Sequence, residues 1–333
     1  MRPFTYRQGT DAPGAVRIGI AAPATTAYLA GGTTLLDLMK LDVMRPAVLV
    51  DINPLQERHG GIEPTSRGLR LGALARMADV AADAGVRRDY PVVAESLALA
   101  ASAQLRNMAS LGGNLLQRTR CSYFRDTSYE ACNKRRPGSG CAALEGVNRI
   151  HAVLGTTDKC IASYPGDFAQ ALIALDGEVE TLGPDGARTI PFARLHLPRA
   201  DTPEIETVLR PGELFTALFI PAGPHTRRST YVKVRDREYY AFALAAAAVA
   251  LDLGPDGVVR DVRIGLGGIH YAPYRATAAE AVLRGRPLDE AAAGAAATAA
   301  LAGAVTHGHN DYTPELARRT LVRALLQAQR MRI

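Results

Sequence analysis

All four cysteines of this 333-residue chain lie in one segment, at Cys121, Cys132, Cys141 and Cys160. The residues around them are rich in Gly, Pro, Ser, Asn and basic side chains, which is typical of loops. Thiols confined in this way predict a closed ligand set for a metal or an iron-sulfur cluster. Two disulfides are the alternative.

The spacing of the cysteines is C-x10-C-x8-C-x18-C, without the close C-x2-C pair that structural zinc sites usually contain. It therefore favours an iron-sulfur cluster over zinc. Disulfides rank lowest, because the start of the chain lacks the apolar core of a signal peptide and a chain of this length builds an adequate hydrophobic core. Basic side chains around the first two cysteines would offset thiolate charge, and they are Arg118, Arg120, Arg125, Lys134, Arg135 and Arg136.

Two glycine motifs precede apolar segments, Ala30-Gly31-Gly32-Thr33-Thr34-Leu35 and Ser110-Leu111-Gly112-Gly113-Asn114. Glycine lets backbone N-H groups approach an anion, and a helix N-terminus favours negative charge. One such motif is as consistent with a plain structural turn as with a binding site. Two of them on separate small α/β units predict one long diphosphate cofactor held from two sides.

The apolar pattern divides the chain into three units. Residues 1–57 read as a small α/β unit that includes a strand at 16–21, and residues 58–224 as a second α/β unit with the cysteine insertion at 115–161. Residues 225–333 read as an α+β domain. Asp167 follows a turn, so we expect it either to cap the next helix or to accept hydrogen bonds from a sugar-like diol.

Composition and charge argue against two classes of partner. The net charge is +6, but the arginines are scattered, and the chain has no Trp and only 6% aromatic residues, so a nucleic-acid surface is not favoured. The longest apolar run, residues 241–251, is far shorter than the roughly 20 residues that cross a bilayer. We therefore predict neither nucleic-acid binding nor membrane insertion.

The histidines show no ligand spacing with the cysteines, and we expect each of them to be an ordinary surface or core residue. They are His59, His151, His196, His225, His270, His307 and His309. No Ser-His-Asp set or catalytic carboxylate pair is evident, so no catalytic residue is predicted in this chain.

Three motifs resemble, in order and spacing, the FAD-binding subunit of molybdenum-flavin hydroxylases, the xanthine dehydrogenase and carbon monoxide dehydrogenase family. They are residues 30–40, residues 110–116 and Tyr164-Pro165-Gly166-Asp167. The cysteine insertion is similar to that of the narrower group whose flavin subunit carries an additional 4Fe-4S cluster, and aldehyde oxidoreductases are the nearest match within it. The resemblance covers nearly the whole chain, including residues 231–237.

The resemblance implies an α+β fold. Two α/β FAD-binding subdomains, of the PCMH/vanillyl-alcohol-oxidase type, would precede a C-terminal α+β domain with a small antiparallel sheet and helices. Asp167 would lie near the ribityl chain, and Lys233, Arg237 and Tyr240 toward the flavin ring. The other implied FAD contacts are Ala30, Gly31, Gly32, Thr33, Thr34, Leu35, Ser110, Gly112, Gly113 and Asn114. The four cysteines would bind the 4Fe-4S cluster.

The resemblance also implies a heterotrimeric complex. A molybdenum-cofactor large subunit would oxidise an aldehyde, a 2Fe-2S small subunit would relay electrons, and FAD in this chain would pass them to an external acceptor. A 4Fe-4S nucleic-acid-binding protein and a free-standing flavin dehydrogenase are the alternatives. We expect no signal peptide of its own, hence a periplasmic location only if a signal-bearing partner co-exports the chain, and a cytoplasmic one otherwise.

Overall fold

The structure is a computed structural model that describes residues 1–333. Its strands are β1 (Thr5–Gln8), β2 (Thr26–Leu29), β3 (Val48–Asp51), β4 (Ile62–Thr65), β5 (Gly68–Gly72), β6 (Glu178–Gly183), β7 (Gly186–Pro191), β8 (Leu214–Pro221), β9 (Ser229–Val234), β10 (Ala245–Leu253), β11 (Val259–Gly267) and β12 (Tyr274–Arg275). Its helices are α1 (Ala12–Ala21), α2 (Leu35–Lys40), α3 (Gln56–His59), α4 (Met77–Ala82), α5 (Ala84–Asp89), α6 (Pro91–Ala98), α7 (Ala103–Met108), α8 (Leu111–Leu115), α9 (Ser122–Arg125), α10 (Phe168–Ala174), α11 (Thr277–Leu283), α12 (Glu290–Ala300) and α13 (Thr313–Gln329). None of these helices combines the length and apolar character that crossing a bilayer requires.

The first sheet is parallel, in the order β1-β3-β2. The strand predicted at 16–21 is wrong, because these residues lie in α1. Asp11 caps this helix by accepting a hydrogen bond from Gly14 N at 2.6 Å, and Pro13 lies in its first turn. These two start signals outweigh the strand-like alternation of the residues that follow.

The second sheet is antiparallel, in the order β4-β5-β8-β6-β7. The chain leaves it after β5 and returns at β6, and this excursion carries α4 to α10, the second glycine motif and the cysteines. The second glycine motif, predicted as a turn, forms the short helix α8. Ser110 caps α8, since its Oγ accepts a hydrogen bond from Gly113 N at 3.2 Å.

The third sheet is antiparallel, in the order β12-β11-β10-β9. Alternate residues of β10 enter two different cores: Ala246 and Ala248 pack with the α6 and α10 side, Ala247 and Val249 with α11, α12 and α13. The third sheet is therefore covered on both faces, which explains why β10 is apolar throughout. The three sheets and their helices confirm the predicted α+β class.

The predicted domain boundaries after residues 57 and 224 stay predictions. One hydrophobic core contains both Leu71 of β5 and Ala248 of β10, so the second and third predicted units share a core. The cysteine segment has a smaller core of its own, which includes Phe124 and Ile161. Apart from α9 it is loop, as its composition predicts.

We expect Gly265→Ala to lower the free energy of unfolding by about 1–3 kcal/mol, the usual cost of overpacking. A Cβ at Gly265 on β11 would lie 2.2 Å from the Gln170 carbonyl oxygen of α10. Gly294→Ala in α12 is the matched control, because a Cβ there meets no atom within 4 Å and alanine favours helix. Chemical denaturation of both variants checks this, and equal stabilities would contradict the close α10-β11 contact.

Candidate functional site

The two glycine motifs meet at one cavity of about 290 Å³. Nine of the predicted FAD contacts line it, namely Ala30, Gly31, Gly32, Thr33, Thr34, Leu35, Ser110, Gly112 and Gly113. A second cavity of about 630 Å³ shares Thr33 and Thr34 with the first and is lined by Asn114 and Asp167. Together the two cavities reach the size that cofactor sites usually have. We call them the first and second flavin cavities.

The glycines of the two motifs have different structural roles. A Cβ at Gly31 would lie 1.9 Å from the Met108 carbonyl oxygen, so Gly31 permits the backbone contact between the motifs. Gly32 has a φ of +71°, a left-handed conformation that favours glycine. A Cβ at Gly113 would meet only Ser110 Oγ, at 3.0 Å, so the backbone at Gly113 is open to the first flavin cavity.

Arginines that the sequence associated with the cysteines also line the flavin cavities. Arg118 lies in the wall of the first, and Arg120 and Arg125 in the wall of the second. Both Arg120 and Arg125 pair with Asp37 of α2, at 3.3 and 2.9 Å. Arg118 and Arg120 lie between the second glycine motif and α9, and Arg125 ends α9; this closeness to the motif was a signal that the sequence analysis did not use.

Asp167 does not cap α10, so that expectation is wrong. Its Oδ1 accepts a hydrogen bond from the Tyr231 hydroxyl at 2.8 Å, and its Oδ2 pairs with Lys233 Nζ at 2.8 Å. Burial raises the pKa of Asp167, although the charge of Lys233 opposes this rise. Lys233 also donates to Leu99 O at 3.0 Å.

The C-terminal residues expected near the flavin ring are therefore split. Arg237 and Tyr240 line the second flavin cavity, whereas Lys233 lines neither cavity. Lys233 is almost fully buried and reaches the second cavity only through Asp167. The FAD contacts of individual residues stay predictions.

The four cysteines line one narrow cavity, which we call the cysteine cavity. All four are free thiols, so the disulfide alternative is wrong. No group of three or more His, Cys, Asp or Glu side chains is arranged to hold a metal ion. A zinc ion needs four ligands at about 2.0–2.3 Å from one point, whereas each thiolate of a 4Fe-4S cluster can bind a different iron. The cluster assignment stays a prediction.

The sulfurs lie among backbone donors. Burial raises the pKa of Cys121 to about 12, and the N-H groups of Phe124 and Tyr123 partly offset this rise. A hydrogen bond from the Cys160 thiol lowers the pKa of Cys141, as do nearby backbone N-H groups that include that of Ala143. Hydrogen bonds to sulfur are a feature of iron-sulfur sites.

His151 is a residue that the sequence analysis missed. His151 is a buried core residue, as expected, but its Nε2 lies 3.1 Å from Cys121 Sγ, a contact that the spacing did not predict. Burial lowers the pKa of His151 to about 4, which makes the ring neutral near pH 7. The contact spans 30 residues of loop, which cysteine-histidine spacing cannot reveal.

A partly buried ion network joins the first flavin cavity to the cysteine cavity. Arg118 Nε lies 3.0 Å from Glu206 Oε2, and Lys134 Nζ lies 2.5 Å from Glu206 Oε1. Lys134 also donates to the Tyr271 hydroxyl at 2.9 Å and lines the cysteine cavity. Burial alone would lower the pKa of Lys134, but the charge of Glu206 raises it. The two cavities are thus neighbours in one chain.

Family models identify the class of protein. The model of the FAD binding domain in molybdopterin dehydrogenase matches residues 8–223, and that of the CO dehydrogenase flavoprotein C-terminal domain matches residues 230–328. The chain therefore belongs to the family of FAD-binding subunits of molybdenum hydroxylases, which are oxidoreductases. This confirms the family resemblance found in the sequence.

Individual relatives agree with this class. The aldehyde oxidoreductase FAD-binding subunit PaoB of Escherichia coli K12 is 45% identical over 331 residues, which cover 99% of each chain. The carbon monoxide dehydrogenase medium chain of Afipia carboxidovorans is 27% identical, over 98% of this chain and 96% of that one. A crystal structure of a Cu,Mo-CO dehydrogenase superposes with a TM-score of 0.77 and 26% identity, covering 99% of both chains.

We expect Gly113→Leu to weaken FAD binding at least tenfold, because the new side chain would occupy the first flavin cavity. The free energy of unfolding without flavin should change little, since the Cβ of residue 113 meets no backbone. Flavin content after purification and titration of the flavin-free chain measure the effect, with Gly294→Leu as the control. Unchanged affinity would contradict the location of the flavin site.

We expect Lys233→Met to lower the free energy of unfolding by about 3–5 kcal/mol, because it leaves the Asp167 carboxylate buried without its ion partner. The double variant Asp167→Asn with Lys233→Met should lose less than the single one, because no charge stays buried. Denaturation of the two single variants and the double variant forms a mutant cycle. Additive losses would show that Asp167 and Lys233 are not coupled.

Proposed function

We propose that this chain is the FAD- and 4Fe-4S-containing electron-transfer subunit of a heterotrimeric molybdenum aldehyde oxidoreductase. Its partners would be a molybdenum-cofactor large subunit and a 2Fe-2S small subunit. The aldehyde substrate class is supported by the full-length similarity to the E. coli aldehyde oxidoreductase subunit. Electrons would travel from the 2Fe-2S clusters through FAD to an external acceptor.

One observation carries this proposal: a glycine-lined cavity and a cavity lined by four cysteines lie side by side, joined by the Arg118-Glu206-Lys134 network. FAD suits a junction of this kind because, when bound, it exchanges single electrons with clusters and one or two with outside oxidants. A subunit that bound only flavin would not need the cysteine cavity.

The residues of the flavin cavities fit FAD. The open backbone at Gly113 and the left-handed turn at Gly32 would let N-H groups reach the diphosphate. Asp167, held by Tyr231 and Lys233, would present a fixed carboxylate to the ribityl hydroxyls. Because backbone N-H groups would stabilise most of the diphosphate charge, few basic side chains are needed in the first flavin cavity.

The residues of the cysteine cavity fit a 4Fe-4S cluster in their chemistry. Four free thiols, three of them buried, face one cavity, and backbone N-H groups point at the sulfurs of Cys121 and Cys141. The positive charge of Lys134 lies in the same wall and would stabilise a net-negative group. The cysteines would hold the cluster, and Lys134 would balance its charge.

The cluster could act as an electron relay or as a brace for residues 115–161, and Cys141→Ser separates the two. We first expect about four irons per wild-type chain, as a 4Fe-4S site implies, in addition to the iron of the 2Fe-2S small subunit, together with flavin absorption in the anaerobically purified complex. Cys141→Ser should remove the electron paramagnetic resonance signal of this cluster and keep the FAD. As a relay, its loss should lower aldehyde turnover at least tenfold.

The matched control is Ser128→Ala, an exposed position in the same loop, which should leave iron content, flavin content and turnover unchanged. Turnover that survives in Cys141→Ser with FAD retained would refute the relay role. Wild-type complex with flavin but without this iron would refute the cluster itself. A chain that oxidises aldehyde without partners would favour a free-standing flavin dehydrogenase.

A further inference from the structure

The ring of His151 contacts the sulfur of Cys121 at hydrogen-bonding distance. Nε2 lies 3.1 Å from Cys121 Sγ, and Nδ1 is buried without any partner. The side chain is 2% exposed, so water does not compete for the ring from outside. A thiolate carries no proton, so a hydrogen bond between Nε2 and a Cys121 thiolate requires the N-H of the neutral ring to be on Nε2.

His151 is held in position by hydrogen bonds to residues near the C-terminal end of the chain. Val305 N donates to Val153 O at 2.8 Å, and Asn310 Nδ2 donates to His151 O at 3.3 Å. Asn148 Nδ2 donates to His307 O at 2.7 Å, and both asparagines are fully buried. Residues 305–310, between α12 and α13, therefore clamp residues 148–153 against the cysteine cavity.

We propose that His151 is a positioning residue that donates the Nε2-H hydrogen bond to the Cys121 thiolate and raises the reduction potential of the cluster. The inference rests on the 4Fe-4S cluster of the proposed function. Hydrogen bonds to the sulfurs are among the factors that set the potentials of iron-sulfur clusters. The reduced cluster is the more negative form, so a donor to its sulfur favours reduction.

The test is a redox titration of the full complex, followed by electron paramagnetic resonance, for wild type, His151→Phe and His151→Gln. His151→Phe keeps a ring and loses the donor, and it should shift the equilibrium toward the oxidised cluster about tenfold, which is a fall of about 59 mV for one electron. His151→Gln keeps an N-H donor and should stay within twofold of wild type. His270→Phe, a buried histidine that contacts no cysteine, is the control and should not shift the potential.

A potential in His151→Phe equal to that of wild type would overturn the inference and leave the cluster assignment standing. A wild-type complex that contains only the iron and the paramagnetic signals of its 2Fe-2S clusters would instead overturn the proposed 4Fe-4S cluster, and this inference with it. If His151→Phe does not assemble a cluster, the hydrogen bond is tested instead by pulsed electron paramagnetic resonance of the wild-type complex with 15N-labelled histidine. A 15N hyperfine coupling to the reduced cluster supports the hydrogen bond, and its absence refutes it.

Discussion

The flavin cavities depend on a backbone contact that leaves no room for a side chain. Gly31 lies against the Met108 carbonyl so closely that a Cβ would be 1.9 Å from its oxygen. Arg76 bridges the same two parts of the chain, because it donates hydrogen bonds to Met108 O at 2.6 Å and to Asn53 Oδ1 at 3.0 Å. Because the two glycine motifs form opposite walls of one cavity, this contact sets the distance between them. The flavin site therefore exists only where the parallel and antiparallel parts of the fold are docked.

The ion network between the cavities adds a second dependence. Its charges come from three separate segments, at Arg118, Lys134 and Glu206, and the deeply buried Lys134 depends on Glu206 for a partner of opposite charge. Charges interact more strongly in a protein interior than in water. We therefore expect a change of charge in the cysteine cavity to alter the electrostatic potential in the first flavin cavity.

Sequence reasoning succeeded where the signal is local. Each glycine motif and the grouping of the four cysteines could be found from residues that are close in the chain, whereas the cofactors assigned to them stay predictions. The strand at 16–21 failed because Asp11 and Pro13 start a helix there. The contact of Asp167 with Lys233, 66 residues further on, and that of His151 with Cys121 were both missed. Such contacts are made by tertiary packing alone.

The second flavin cavity and the cysteine cavity are both completed from the last third of the chain. Lys233 of β9 fixes Asp167, β9 pairs with β10, and residues 305–310 clamp the loop that carries His151. During synthesis, the glycine motifs and all four cysteines leave the ribosome long before these supports exist. Loading of the proposed cofactors would therefore be a late event in the life of the polypeptide, and chains truncated before residue 310 would carry every predicted ligand residue and still lack both finished cavities.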